Sequence, residues 1–209
     1  MTRQVLEIWD VSRRKRLRIL DDDPAAGLAV RDDQRLLVTA QDQVTDLRTG
    51  KTRYRALGDA TADVLAFSPD GAYFAAGDAL GHVTVWDGDV RHRIGVAGTG
   101  PGESVTALVF SPDGTTLAVA GSGGTIQLWD VASSRPLGAA FPTPGDLPLA
   151  LAFDRNGTTL HAAGAHVRFQ TYAIAPTQVA QQVCSRTGSG LSPADWKAYL
   201  PDIPYRRTC

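Results

Sequence analysis

The stretch VFSPDGTTLAVAGSGGTIQLWD (Val109–Asp130) decides the fold, because a near copy, AFSPDGAYFAAGDALGHVTVWD (Ala66–Asp87), stands 43 residues before it. The residues from Val105 to Phe110 read as a strand of small and β-branched side chains. Ser111-Pro112-Asp113-Gly114 then makes a turn: Pro presets φ, Asp bonds back to the backbone, and Gly takes positive φ. A second strand is expected over 115–120, and Gly121-Ser122-Gly123-Gly124 closes another tight turn. Thr125 to Trp129 alternates apolar and polar residues, the period-2 mark of a third strand. Ala132 to Arg135 turns the chain again, and Pro136 to Ala140 supplies a fourth strand.

Two anchors extend the pattern. FSPDG begins at Phe67 and Phe110, FDRNG follows at Phe153, and a worn VRDDQ begins at Val30. Downstream, IWD ends at Asp10, VWD at Asp87 and LWD at Asp130, with degraded copies at Val44–Arg48 and Val167–Thr171. Both anchors give a period of roughly 40 residues, and four short antiparallel strands per period is a propeller blade. Alanine recurs in the second strands (Ala75, Ala76, Ala118, Ala120, Ala162, Ala163), where blades crowd toward an axis and small residues fit the taper.

On these residues the chain resembles the WD-repeat β-propeller family over about Val5 to Ala173, with two clear copies and three degraded ones. The resemblance implies an all-β propeller whose repeated residues hold the blades together, so it speaks for fold more than for function. One departure matters. Many members carry Gly-His before the first strand and Asp in the turn before the third; here no Gly-His precedes Phe67 or Phe110, the Asp position is Leu80 or Gly123, and Gly81-His82 lies in the wrong turn. The family's buried His–Asp–Ser/Thr–Trp network is therefore not expected, and Trp86 and Trp129 should act mainly by packing between blades.

The blades do not add up to a familiar ring. Residues 4–20 give two strands, residues 27–57, 63–98 and 104–141 give three full units, and residues 147–175 give three strands, about four and a half blades where rings close with about 4–8. Open strand edges invite pairing. Three resolutions stand side by side: a longer parent protein, closure by two copies, or self-capping with the tail over an edge.

The repeat stops near Ala175, which divides the chain into blades over 1–175 and a tail over 176–209 packed on them. Val179, Ala180, Val183 and Cys184 form a helical stripe. Ser192 is a good N-cap, Pro193 sits at the first helical position, Asp195 at the third, Leu191 and Trp196 are placed for a hydrophobic staple, and Pro201 stops the helix. This tail resembles the extension that follows WD repeats in many actinobacterial proteins, matched here by Cys184, Leu191, Ser192, Asp195, Trp196, Tyr199, Leu200, Pro201, Tyr205, Thr208 and Cys209. Such tails are often attached to STAND-class NTPases, which use the propeller as a sensor or docking end. Because Cys184 and Cys209 both fall inside the recurring tail, they form the candidate disulfide, against the reduced default of a cytosolic protein.

Composition narrows the function. The charged share is 21% and the net charge −1, which favours neither nucleic acid nor an acidic membrane surface. No run of about 18 apolar residues is present, and the start MTRQVLEIWD lacks a signal-peptide h-region. A bias of Arg over Lys points to a GC-rich bacterial genome, and the expected location is cytoplasmic. Residues Gly98 to Ser104 are Gly-rich but lack the Lys-Ser/Thr ending of a P-loop, so they read as an inter-blade loop. His82, His92, His161 and His166 have no ligand spacing, and no metal or cofactor is expected. The run Arg13 to Arg18 reads as a solvated hairpin turn offset by Asp21–Asp23 and Asp32–Asp33. No catalytic set has motif support. The expectation is a non-enzymatic protein-interaction scaffold or sensor module with a protein partner, and self-association through blade edges as a second route. The rivals are a propeller enzyme with a central-channel site and a non-functional fragment of a larger WD-repeat NTPase.

Overall fold

The computed structural model describes residues 6–20, 27–58, 62–100, 102–143, 146–188 and 190–206. The described residues form antiparallel sheets in chain order. A hairpin comes first, β1 (Leu6–Asp10) with β2 (Lys15–Leu20). Two four-stranded meanders follow: β3 (Leu28–Val30), β4 (Leu36–Thr39), β5 (Gln43–Asp46) and β6 (Thr52–Tyr54), then β7 (Val64–Phe67), β8 (Tyr73–Gly77), β9 (His82–Asp87) and β10 (Arg93–Gly98). The next sheet holds β11 (Val105–Phe110), β12 (Thr116–Gly121) and β13 (Thr125–Asp130), with β14 (Arg135–Pro136) and β15 (Phe141–Pro142) both paired to β13. A three-stranded sheet, β16 (Pro148–Phe153), β17 (Thr159–Gly164) and β18 (Gln170–Ala173), precedes helices α1 (Pro176–Thr187) and α2 (Pro193–Tyr199). This is the expected all-β propeller array of about four and a half blades with a short helical tail.

The core lies between sheets. In a strand, successive side chains take opposite faces. Phe74 and Ala76 of β8 therefore pack back on Val38, Val44 and Leu57, while Ala75 packs forward with Val105, Leu117 and Val119. The same division recurs in β12: Leu117 and Val119 face back, and Ala118 and Ala120 face forward to Leu160 and Ala162. Second strands are apolar on both faces for this reason, and the alanines sit where the next sheet comes close. Gly77 of β8 is one such close approach, since a Cβ there would lie 2.7 Å from Val105 Cγ1.

The repeated turn is explained atom by atom. Ser68 Oγ donates to Asp70 Oδ1 at 2.6 Å and accepts from Tyr73 N at 2.9 Å, while Asp70 accepts from Ala72 N at 3.0 Å. Ser111, Asp113, Thr115 and Thr116 repeat this set. In the FDRNG copy, Asp154 replaces the serine and takes the N–H groups of Thr158 and Thr159 itself.

Two expected strands shift. The fourth strand after β13 is broken: β14 and β15 flank residues 137–140, where Pro136, Pro142 and Gly138 at φ 71° interrupt the ladder. The third strand of the last sheet is Gln170–Ala173 rather than Val167–Thr171, because residues 164–167 are drawn into a turn around Asp146. In the tail, Ser192 Oγ caps α2 by accepting from Asp195 N at 3.1 Å. Trp196 is buried, donates Nε1 to Ile203 O at 2.9 Å and meets Tyr205 edge-on at 5.8 Å, so the turn after Pro201 folds back on α2. Among the described residues, no helix is long and apolar enough to cross a membrane.

Candidate functional site

The chemistry lies in the turns. At the β3–β4 turn the place of Ser68 and Ser111 is taken by Arg31, with Asp33 in the place of Asp70. Arg31 Nε and Nη2 bond both oxygens of Asp33 at 3.0 and 2.9 Å, a bidentate pair. Its Nη1 reaches across to the next sheet, donating to Gly88 O at 2.8 Å and Asp89 Oδ1 at 2.9 Å. Arg53 of β6 makes a second bridge to the same turn, donating to Asp89 O at 2.6 Å and Val90 O at 3.1 Å. Val90 is wholly buried yet sits at φ 53°, a conformation costly for a β-branched residue and held here by packing and by these bonds.

Between these turns lies a cleft of about 440 Å³. Arg35, Arg48, Lys51 and Arg91 line its exposed rim around Arg31 and Arg53, and Leu36 and Val44 form its apolar floor. Asp46 stays ionised at the wall: the Thr49 N–H, 2.7 Å away, lowers its pKa against the opposing effect of burial. The bonds of Arg31 likewise hold Asp33 below the ordinary carboxylate value. A larger, apolar groove of about 830 Å³ opens between β13, β15, β18 and α1, with Leu137, Phe141, Ile174, Val179 and Val183 on its walls.

The other singled-out residues have structural partners. Trp86 Nε1 donates to Thr84 Oγ1 at 3.2 Å and Trp129 Nε1 to Gly98 O at 3.1 Å. Both rings pack on the inter-sheet cores, and the partners of their indole N–H groups are a threonine and a backbone carbonyl, not the family's histidine-linked chain. His82, His92 and His166 are exposed beside Asp78, Asp87 and Asp146. No group of three or more His, Cys, Asp and Glu that would hold a metal occurs among the described residues. The Gly98–Ser104 loop joins β10 to β11, with Thr99 Oγ1 donating to Glu103 O at 2.7 Å and the Glu103 carboxylate accepting from Thr125 Oγ1 at 3.0 Å. In the basic run, Arg13 and Arg16 pair with Asp10 and Glu7; Asp21–Asp23 lie outside the described residues. Cys184 lies on α1, and Cys209 lies outside the described residues.

Every carboxylate with a resolved shift among the described residues is lowered. Ser68 and Ala72 N–H hold Asp70 down, Ser111 and Thr115 N–H hold Asp113 down, and Ser133 holds Asp130 down. These are turn-capping acids, ionised at neutral pH. Asp146 is the extreme case. Burial alone would raise it, but the N–H groups of Val167, His166 and Leu147 outweigh burial and bring it to about 2. A depressed carboxylate contributes stability that is present above its unfolded value, near 3.8, and is lost as pH falls through its folded value, about 2. The His166 and Val167 amides should therefore stay protected from exchange at pH 5 and lose protection progressively between about pH 4 and pH 2. Amide exchange read by NMR along an acid titration checks this, and protection lost already at pH 5 would contradict it.

The run Arg13–Arg18 drew the eye in sequence because it is contiguous. The cleft cations did not, being spread from Arg31 to Arg91 over two sheets. The available signal was positional: Arg where the two FSPDG turns have Ser, and a basic residue after the strand-ending Asp46 and Asp87.

Comparison with known proteins bears on the centre of the chain. The family model described as "WD domain, G-beta repeat" matches residues 59–87 and 96–130. The matches end at Asp87 and Asp130, the last residues of β9 and β13. No curated protein matches the chain. Two segments that match the WD repeat thus stand side by side, the first over β7–β9 and the second from the end of β10 through β13.

Proposed function

We propose that the chain is a non-catalytic protein-interaction module. The observation that carries this reading is how the repeated residues are spent. Ser68, Asp70, Trp86 and Asp87, and their counterparts Ser111, Asp113, Trp129 and Asp130, are all engaged within or between blades. What remains for recognition is the turns, and these differ from blade to blade on a rigid frame. Ionised, turn-capping carboxylates supply no acid or base poised near neutral pH, which supports this reading over the enzyme alternative. For self-association, the edges of β1 and β18, unpaired among the described residues, are the candidate surfaces. Capture of the tagged chain from its source cells after chemical crosslinking should enrich the same few proteins in every replicate. Recovery of nothing above a mock capture without the tagged chain would contradict the reading.

The finer reading takes residues 1–175 as the blades and 176–209 as a tail packed on them, serving as the sensor or docking end of an NTPase assembly like those its tail resembles. The groove shared by β18 and α1 supports the packing. Cys184 and Cys209 are the proposed disulfide of that tail. Alkylation of the unfolded chain without reductant should leave both unmodified; two alkylated cysteines would contradict the bridge.

A further inference from the structure

The cleft between the β3–β6 sheet and the 87–91 turn concentrates one sign of charge in a chain that is nearly neutral. Six of its lining residues are cationic (Arg31, Arg35, Arg48, Lys51, Arg53, Arg91) and two, Asp46 and Asp89, are acidic. With Asp33, the carboxylate that Arg31 holds, that is +3 locally against −1 for the whole chain, which leaves −4 for everything else. Like charges gathered in a concave wall repel one another, and the same arrangement focuses a positive field on whatever enters.

The structure spends only part of this charge. Arg31 is committed to Asp33 and Asp89, and Arg53 to two backbone carbonyls. Arg35 reaches Asp33 only at 3.8 Å. Arg48, Lys51 and Arg91 are exposed and make no ion pair among the described residues. A further cation stands behind the 48–51 turn: the Arg18 guanidinium lies against Gly50, so closely that a Cβ on Gly50 would overlap it, and its Nη1 is buried with no hydrogen-bond partner. An unmatched buried guanidinium donor is costly. Its cost falls if negative charge is brought to the other side of this short turn.

The ligand class follows from the lining. Apart from Leu36 and Val44 the walls are polar, so the cleft offers little apolar surface to hold a nucleobase or another flat ring. The uncommitted cations come from two turns on two sheets, which distributes them along the cleft. Successive carboxylates on an extended chain match such a distribution, and the site already holds two carboxylates of its own, Asp33 and Asp89, by guanidinium bonds. We infer that this cleft is a docking site for an acidic, Asp/Glu-rich segment of a protein partner. The inference rests on the reading of the chain as an interaction module.

A fluorescein-labelled oligo-glutamate peptide is the probe, followed by anisotropy at low salt and at about 0.15 M, where screening is strong beyond about 8 Å. The test variant is Arg48→Glu/Lys51→Glu/Arg91→Glu, chosen because these exposed side chains do not bridge the sheets; an unchanged thermal melt confirms that it folds. The control is Arg13→Glu/Arg14→Glu in the β1–β2 turn. The expected result is that the wild type and the control bind the peptide, and that the triple reversal weakens binding by about 30-fold. Equal binding by the triple variant and wild type would overturn the inference, as would tighter binding of an oligo-dT of equal charge at the same salt, which would make the cleft a nucleic-acid site. Crosslinking separates the two levels of the argument. A protein captured equally by wild type and triple variant overturns the cleft and leaves the interaction module standing. Failure of the wild type to capture any protein overturns the module itself.

Discussion

Phe74→Ala should lower the unfolding free energy by about 3–5 kcal/mol, a large share of the roughly 5–15 kcal/mol that holds a domain together. Phe74 is fully buried, its ring centroid lies 4.8 Å from that of Phe67, and it faces Val38 and Val44 of the preceding sheet. Removing the ring opens a void between two sheets. Each sheet is fixed by its own ladder, so neither can collapse freely to refill the space. Urea unfolding followed by tryptophan fluorescence reads the loss, with Tyr54→Ala as comparator. Tyr54 is 71% exposed, and its removal should change stability by no more than about 0.5 kcal/mol. A loss under about 1 kcal/mol for Phe74→Ala would mean that the sheets do not pack on each other as described.

Gly88→Ala should be nearly as damaging, costing about 3 kcal/mol, although it adds a single methyl group. A Cβ on Gly88 would overlap the carbonyl oxygen of Gly71 and press on Ala72 C, 3.1 Å away. Both are backbone atoms at the end of the SPDG turn and the residue after it, so no side chain can swing aside. The 87–91 turn would have to lift. With it would go the Gly88 and Asp89 contacts of Arg31 and the Asp89 and Val90 contacts of Arg53, which join the first two full sheets. The same denaturation measurement serves, and a midpoint within error of the wild type would show that this turn is not seated on residues 71–72.

Much of the fold was legible because a blade writes its own grammar locally. Ser-Pro-Asp-Gly closes a turn through bonds within six residues, and alternation places Val83 and Val85 on one face of β9, so both survive a reading of sequence alone. What failed depended on distant partners. Val167 carries the pattern of a strand, but the Asp146 carboxylate, 21 residues earlier, claims its N–H at 2.7 Å and moves the strand to Gln170. The break at Gly138 turned on two prolines acting on an edge strand, where pairing is weakest. The cleft was hidden for a related reason. Arg31, Arg48 and Arg91 belong to different turns, and only the face-to-face stacking of sheets makes them neighbours.

Backbone amide exchange, resolved residue by residue, tests the central claim most directly: the chain is a stack of sheets stabilised between their inner strands. The account predicts the slowest exchange in β8, β12 and β17, whose ladders are covered by neighbouring strands and cores, at rates that approach global unfolding. The β1–β2 hairpin, with Trp9, Leu17 and Ile19 exposed, should exchange far faster. Protection in β1–β2 equal to that in β12, or rapid exchange in β8, would contradict it.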